Sequence, residues 1–162
     1  MNLSKNLTLA EVTKSNTATK YGISNLPTKE HEENLKTIAK EIFQPTREHF
    51  GNSIFVSSGY RSKELNNKIK GATSSQHSFG EALDLDGDIY KTPSNYEIFH
   101  YIKDNLKFDQ LIAEFPVNGK ISWVHVSYRK ERLRNQILIA TISGGKTVYL
   151  PYKGNESLVY EQ

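Results

Sequence analysis

The chain has 162 residues, 36% hydrophobic and 24% charged, with a formal charge of +3 and no cysteine. That length fits one domain, 1–162, able to bury roughly 70% of its unfolded surface, and the balance excludes global disorder. Without cysteine there are no disulfides, thiolate metal sites, iron–sulfur clusters or cysteine nucleophile, so a transition metal would rest on His, Asp and Glu.

The small positive charge does not imply nucleic acid. The densest basic run, Arg129-Lys130-Glu131-Arg132-Leu133-Arg134, reads as a solvated loop rather than a polymer-binding patch. No stretch approaches the ~20 apolar residues of a membrane span, and Met1 to Leu9 contain no apolar core of a signal peptide. The expectation is a monomer, not inserted in a membrane, made in the cytoplasm without an export signal.

In chain order, residues 1–27 read as an irregular N-terminal arm with at most a short turn of helix. Thr28 can cap the next segment, and Glu30, Glu32 and Glu33 suit the positive end of its dipole. Leu35, Ile38 and Ile42 recur at helical spacing, widened by Ala39 and Phe43; Pro45 interrupts or restarts this helix, and Gly51 ends it. Residues 53–57 form a strand leading to the Ser58-Gly59 turn, and a short helix runs from Ser62 to Gly71. Residues 72–80 are a polar loop. Over 82–86 strict alternation sends Leu83 and Leu85 one way, Asp84 and Asp86 the other.

Thr92-Pro93 opens another helix, with Tyr96, Phe99 and Leu106 on one side. Antiparallel strands follow over 108–115, 120–128, 136–142 and 146–152, the last two joined at Gly144-Gly145. Residues 136–162 read as a C-terminal strand extension. Helices early and strands late indicate an α+β fold with a largely antiparallel sheet.

The chemistry concentrates in a few stretches. In Ser75 to Asp84, His77 ends a polar loop, Gly80 turns the chain, and Asp84 lies on the polar face of the next strand. Such a turn can aim an imidazole and a carboxylate at one point, although a His and an Asp separated by six residues are, by themselves, usually unrelated. In Trp123-Val124-His125-Val126-Ser127, alternation puts Trp123, His125 and Ser127 on one face. A half-buried structural histidine is the plain alternative.

A two-residue turn at Asn118-Gly119 would pair Val117 with Lys120, Glu114 with Trp123 and Ile112 with His125. Glu114 and His125 then become diagonal neighbours, ~7–8 Å apart between α-carbons. Slipping one residue would turn Glu114 to the other face. Together His77, Asp84 and His125 make a set of three ligands, with a fourth position left for water. Arg61, between a strand and a helix start, can steady an oxyanion, grip a substrate carboxylate, or form a surface salt bridge.

Ser58-Gly59-Tyr60-Arg61-Ser62, the Ser-x-His-x-x-Gly-x-Ala-x-Asp pattern over 75–84 and the 123–127 segment together resemble the zinc D-Ala-D-Ala carboxypeptidases. That family includes phage L-alanyl-D-glutamate endopeptidases and vancomycin-resistance dipeptidases, and shares its fold with the hedgehog signalling domain. The resemblance spans most of the chain. Leu7-Thr8-Leu9-Ala10-Glu11, Leu65-Asn66 and Phe108-Asp109-Gln110-Leu111-Ile112 are similar to a phage-associated branch.

The resemblance implies a central antiparallel sheet with helices packed on one side. It implies one Zn2+ per chain on His77, Asp84 and His125, with Arg61 stabilising the transition state. Many members place an acid three residues before the last histidine; Ser122 stands there instead. Glu114 is the substitute general base, with Asp86 the alternative. The expected activity is hydrolysis of peptidoglycan stem peptides, as a D,D-carboxypeptidase or an endopeptidase, in phage lysis or cell-wall degradation. The rival is a non-catalytic zinc-containing cell-wall-binding or structural domain. His31, His49 and His100 are expected bystanders.

Overall fold

The computed structural model describes residues 1–154, so positions 155–162 of the expected C-terminal extension lie outside the described residues. The first 27 residues are more ordered than an irregular arm. Strands β1 (Asn2–Ser4) and β2 (Leu7–Thr8) pair, followed by helices α1 (Leu9–Thr13) and α2 (Asn16–Tyr21). Thr8 and Glu11 form a reciprocal capping box that starts α1, a pattern legible in Thr-x-x-Glu. Leu3, Leu7 and Val12 from this region join the main core.

Helix α3 (Lys29–Ile38) starts at Thr28, whose hydroxyl accepts from the His31 amide at 3.2 Å. It continues through a π turn over Ala39–Phe43 into α4 (Gln44–Phe50). Proline has no N–H to donate and its ring crowds the carbonyl four residues back; the helix widens just ahead of Pro45 and continues. Strand β3 (Phe55–Ser58), α5 (Lys63–Lys68), a 3₁₀ turn over Gln76–Phe79, β4 (Ala82–Asp86) and α6 (Asn95–Asn105) follow. Ser94, not the Thr92-Pro93 pair, caps α6, with Glu97 completing a second capping box. The last strands are β5 (Gln110–Glu114), β6 (Trp123–Ser127), β7 (Gln136–Ser143) and β8 (Lys146–Pro151).

Six strands form one sheet in the order β3-β4-β6-β5-β7-β8, antiparallel throughout except that β7 runs parallel to β5. The expectation that all the late strands are antiparallel is corrected there. Both edges of β6 are occupied, by β4 and β5, so β7 cannot pair with its predecessor. It reverses direction, passes β5 and lands on that strand's free edge, parallel to it.

Alternation sorts the sheet into two faces. Leu83, Leu85, Val124, Val126, Leu111, Ala113 and Ile139 point into the core, against Leu35, Ile38, Ile42, Phe43, Ile98, Phe99 and Ile102 of the helices. Burying each such side chain contributes roughly 1.5–3 kcal/mol, and this face holds the layers together. The opposite face carries Asp84, His125, Ile112 and Leu138 in one cross-strand row. The result is a mixed α+β fold with a mostly antiparallel sheet, as expected.

Candidate metal centre

Asp84 and His125 sit directly opposite each other on β4 and β6, so register alone brings their side chains together. Asp84 Oδ1 lies 3.0 Å from His125 Nδ1 and 3.3 Å from His77 Nε2. His77 arrives from the 3₁₀ turn, which ends at Gly80 in the left-handed region (φ 71°). A Cβ at Gly80 would also stand 2.4 Å from the His31 carbonyl oxygen, so glycine is required there on two counts.

The second ring nitrogen of His77 decides its role. Nδ1 is 2.6 Å from the Gly59 carbonyl, which can only accept, so Nδ1 carries the proton and Nε2 presents its lone pair towards Asp84. Burial pushes the His77 pKa down, with Asp84 opposing, which favours the neutral imidazole a metal requires. Burial acts to raise the Asp84 pKa, but the neighbouring His77 and His125 rings outweigh it and hold the carboxyl well below its usual range.

The ligand atoms of His77, Asp84 and His125 all lie within 4.8 Å of one another. Donors ~2.0–2.2 Å from an ion at tetrahedral angles would be about 3.3–3.6 Å apart, close to the separations found here. A buried lone pair facing a carboxylate needs a proton or a cation between them, so the donor set fits a divalent metal.

Glu114 stands opposite Trp123, with Ile112 opposite His125 and Val117 paired with Lys120, the register expected of the Asn118-Gly119 turn. Glu114 is 8% exposed, and burial pushes its pKa up to about 7; His125 and Arg61 pull it down while Asp84 pushes it further up. A carboxyl poised near neutrality can take a proton and return it. Arg61 lines the same groove, its Nη2 donating to Ser75 Oγ at 3.2 Å and its backbone amide to the His77 carbonyl at 3.1 Å. Its buried Nε has no hydrogen-bond partner, and burial lowers its pKa against Asp84 and Glu114.

The groove, about 830 Å³, brings together Arg61, His77, Asp84, Glu114, Trp123 and His125. Asp86 is not among its walls. Its Oδ1 accepts from the Asp88 amide and the Asn95 side chain, both at 3.1 Å, fixing the turn after β4. Ser122 donates its hydroxyl to the Phe115 carbonyl at 2.8 Å and closes the β5–β6 turn. Among the remaining histidines, His31 meets the Tyr60 hydroxyl, His49 stacks on Tyr101 and His100 lies against Tyr96; none joins the trio.

The basic run departs from the solvated-loop reading. Arg134 makes a fork to Asp109, Nε to Oδ1 at 2.6 Å and Nη2 to Oδ2 at 2.9 Å, and Gln76 donates to the same carboxylate at 2.8 Å. Asp109 is fully buried and braces the turn that carries His77. Spacing could not reveal this, because the partners are 25 residues apart in the chain.

The buried His-Asp-His trio, with a carboxylate and a guanidinium beside it on the open face of the sheet, can hold a divalent cation next to a group that moves protons. Residues 5–127 match the family described as Peptidase M15, and the chain belongs to that family of zinc metallopeptidases. A search of curated proteins returned no significant match. The family is a peptidase family, so the substrate is a peptide, and among the described residues no helix is long and apolar enough to cross a membrane.

Proposed function

We propose that this chain is a zinc peptidase that hydrolyses amide bonds in peptidoglycan stem peptides, acting as a D,D-carboxypeptidase or an endopeptidase. The convergence of His77, Asp84, His125, Glu114 and Arg61 on one groove is the observation that carries the reading. The 58–62, 75–84 and 123–127 motifs supply the substrate class. The setting we favour is cell-wall degradation of phage or prophage origin, with the protein acting on the wall after release or delivery.

His77, Asp84 and His125 would hold one zinc ion. Bound there, zinc would supply Lewis acidity, lowering the pKa of a water and polarising the scissile carbonyl. Glu114 takes the proton of the attacking water and returns it to the leaving amine, a role suited to a pKa near the working pH. Arg61 places a fixed positive charge where negative charge develops on the former carbonyl oxygen. His77 is kept in the required tautomer by the Gly59 carbonyl.

Ser122 does not leave the site without a base, because Glu114 occupies the groove from the neighbouring strand. That observation favours catalysis over a binding module. Mass spectrometry of purified muropeptides incubated with zinc-loaded protein tests it. Cleavage of a stem or cross-link is expected, with Glu114→Gln retaining zinc and losing roughly 10²–10⁴-fold in rate. Asp86→Asn should stay within a few-fold of wild type. Loss of activity in Asp86→Asn, with full activity in Glu114→Gln, would move the base to Asp86.

A further inference from the structure

The metal site shares its groove with a wall built by chain beyond the family-matched segment. Strands β7 and β8 begin at Gln136, past the matched residues 5–127, yet Leu138, Thr147, Tyr149 and Pro151 line the same groove as His125 and Glu114. Register explains the juxtaposition. Glu114 pairs with Trp123 on one side and Ala140 on the other, and Ala140 pairs with Tyr149. One row across four strands therefore reads Trp123, Glu114, Ala140, Tyr149, all on the open face.

The row forms a saddle. Two aromatic walls flank a carboxylate and a methyl group, and strand spacing separates the Glu114 and Tyr149 backbones by about 10 Å. Between them the groove is lined by Ile112, Phe115 and Leu138, and an extended peptide can lie along it. The floor is apolar: Ile112, Leu138 and Ala140 are buried together, apart from the main core, with Phe115 packed against them. Tyr149 itself is half-exposed. Burial raises its pKa, and the charges of Glu114 and Asp84 act in the same direction, so at neutral pH its hydroxyl remains a donor.

We propose that Tyr149 is a substrate-positioning residue: its ring walls a subsite for a small apolar side chain next to the scissile amide, and its hydroxyl donates to a peptide carbonyl of the substrate. The proposal rests on the peptidase reading above and adds to it the β7–β8 hairpin as the part that selects the peptide. No covalent step is assigned to Tyr149.

The chain's single tryptophan, Trp123, lies in this groove and reports binding without turnover. The probe is a purified cross-linked disaccharide-pentapeptide muropeptide, which contains every candidate bond. Titrated into zinc-loaded Glu114→Gln protein, it should change Trp123 fluorescence. Adding Tyr149→Ala should weaken that binding about tenfold or more, with Tyr149→Phe intermediate. In the otherwise wild-type enzyme, the same two changes should raise KM in that order and leave kcat, zinc content and thermal midpoint nearly unchanged.

Unaltered KM and unaltered Trp123 titration in Tyr149→Ala, with the muropeptide still cleaved, would overturn the subsite and leave the peptidase reading standing. A fall in kcat that tracks lost zinc or lost stability would also overturn it, in favour of a structural role. Wild-type protein that neither binds nor cleaves the muropeptide would overturn both.

Discussion

Two aspartates of this protein are buried within the same sheet region, and they have opposite partners. Asp109 meets permanent cations: a fork from Arg134, a further contact from Arg132 at 3.3 Å, and the Gln76 amide. Asp84 meets two imidazoles, one of them held neutral by burial and by a carbonyl on its far side. Both carboxyls lie below their usual range despite burial, Asp109 through its Arg134 and Gln76 hydrogen bonds. Asp109 is therefore complete within the protein, whereas Asp84 is part of a donor set that calls for a cation from outside. A closed ion pair braces the structure; an open set of donors performs chemistry.

The largest effect that could break this contrast comes from Asp84→Asn. It should abolish stoichiometric zinc binding and lower cleavage by at least about 10³-fold while the fold survives, as read by metal analysis and circular dichroism. Retained zinc in that variant would remove Asp84 from the centre.

Asp109→Asn should show the converse. Removing one partner of a buried pair leaves Arg134 short of its acceptor, and a cost of about 2–3 kcal/mol in urea unfolding is expected, with one zinc still bound. The pH dependence follows from the lowered Asp109 pKa. Its contribution is fully present above the ordinary carboxyl pKa, about 4, and fades as pH falls through the lower folded value. The acid arm of the stability curve should therefore be shallower in Asp109→Asn.

The smallest expected effect concerns Glu114 in metal-free protein. Its pKa is raised to about 7, so the folded state favours the protonated form. That stabilising contribution is complete below the unfolded pKa and is lost as pH rises through 7. Glu114→Gln should thus stabilise the metal-free protein at pH 8, by on the order of 2 kcal/mol, and have little effect near pH 4. A difference independent of pH would mean that Glu114 is not shifted by burial.

Much of the site was legible because it depends on local rules. Strand alternation put Asp84 and His125 on polar faces, and the Asn118-Gly119 turn placed Glu114 beside His125 by counting residues. The N-terminal region carries no periodic signal because its helices are only five and six residues long. Their capping residues were the signal available. The Asp109–Arg134 fork and the parallel pairing of β7 were not legible, since each depends on which sheet edge remained free after β6 had found two neighbours.

By itself, the sequence determined most of the elements after residue 28, the two faces of the main strands and the absence of any thiolate ligand, because these follow from side-chain chemistry over a few bonds. Only the tertiary structure decided that His77 meets Asp84 with its Nε2, that Asp86 is taken up by a turn, and that β8 shares the groove. Those outcomes depend on distances of a few ångströms between segments tens of residues apart. Closure of the core sets such distances, and no local pattern encodes them.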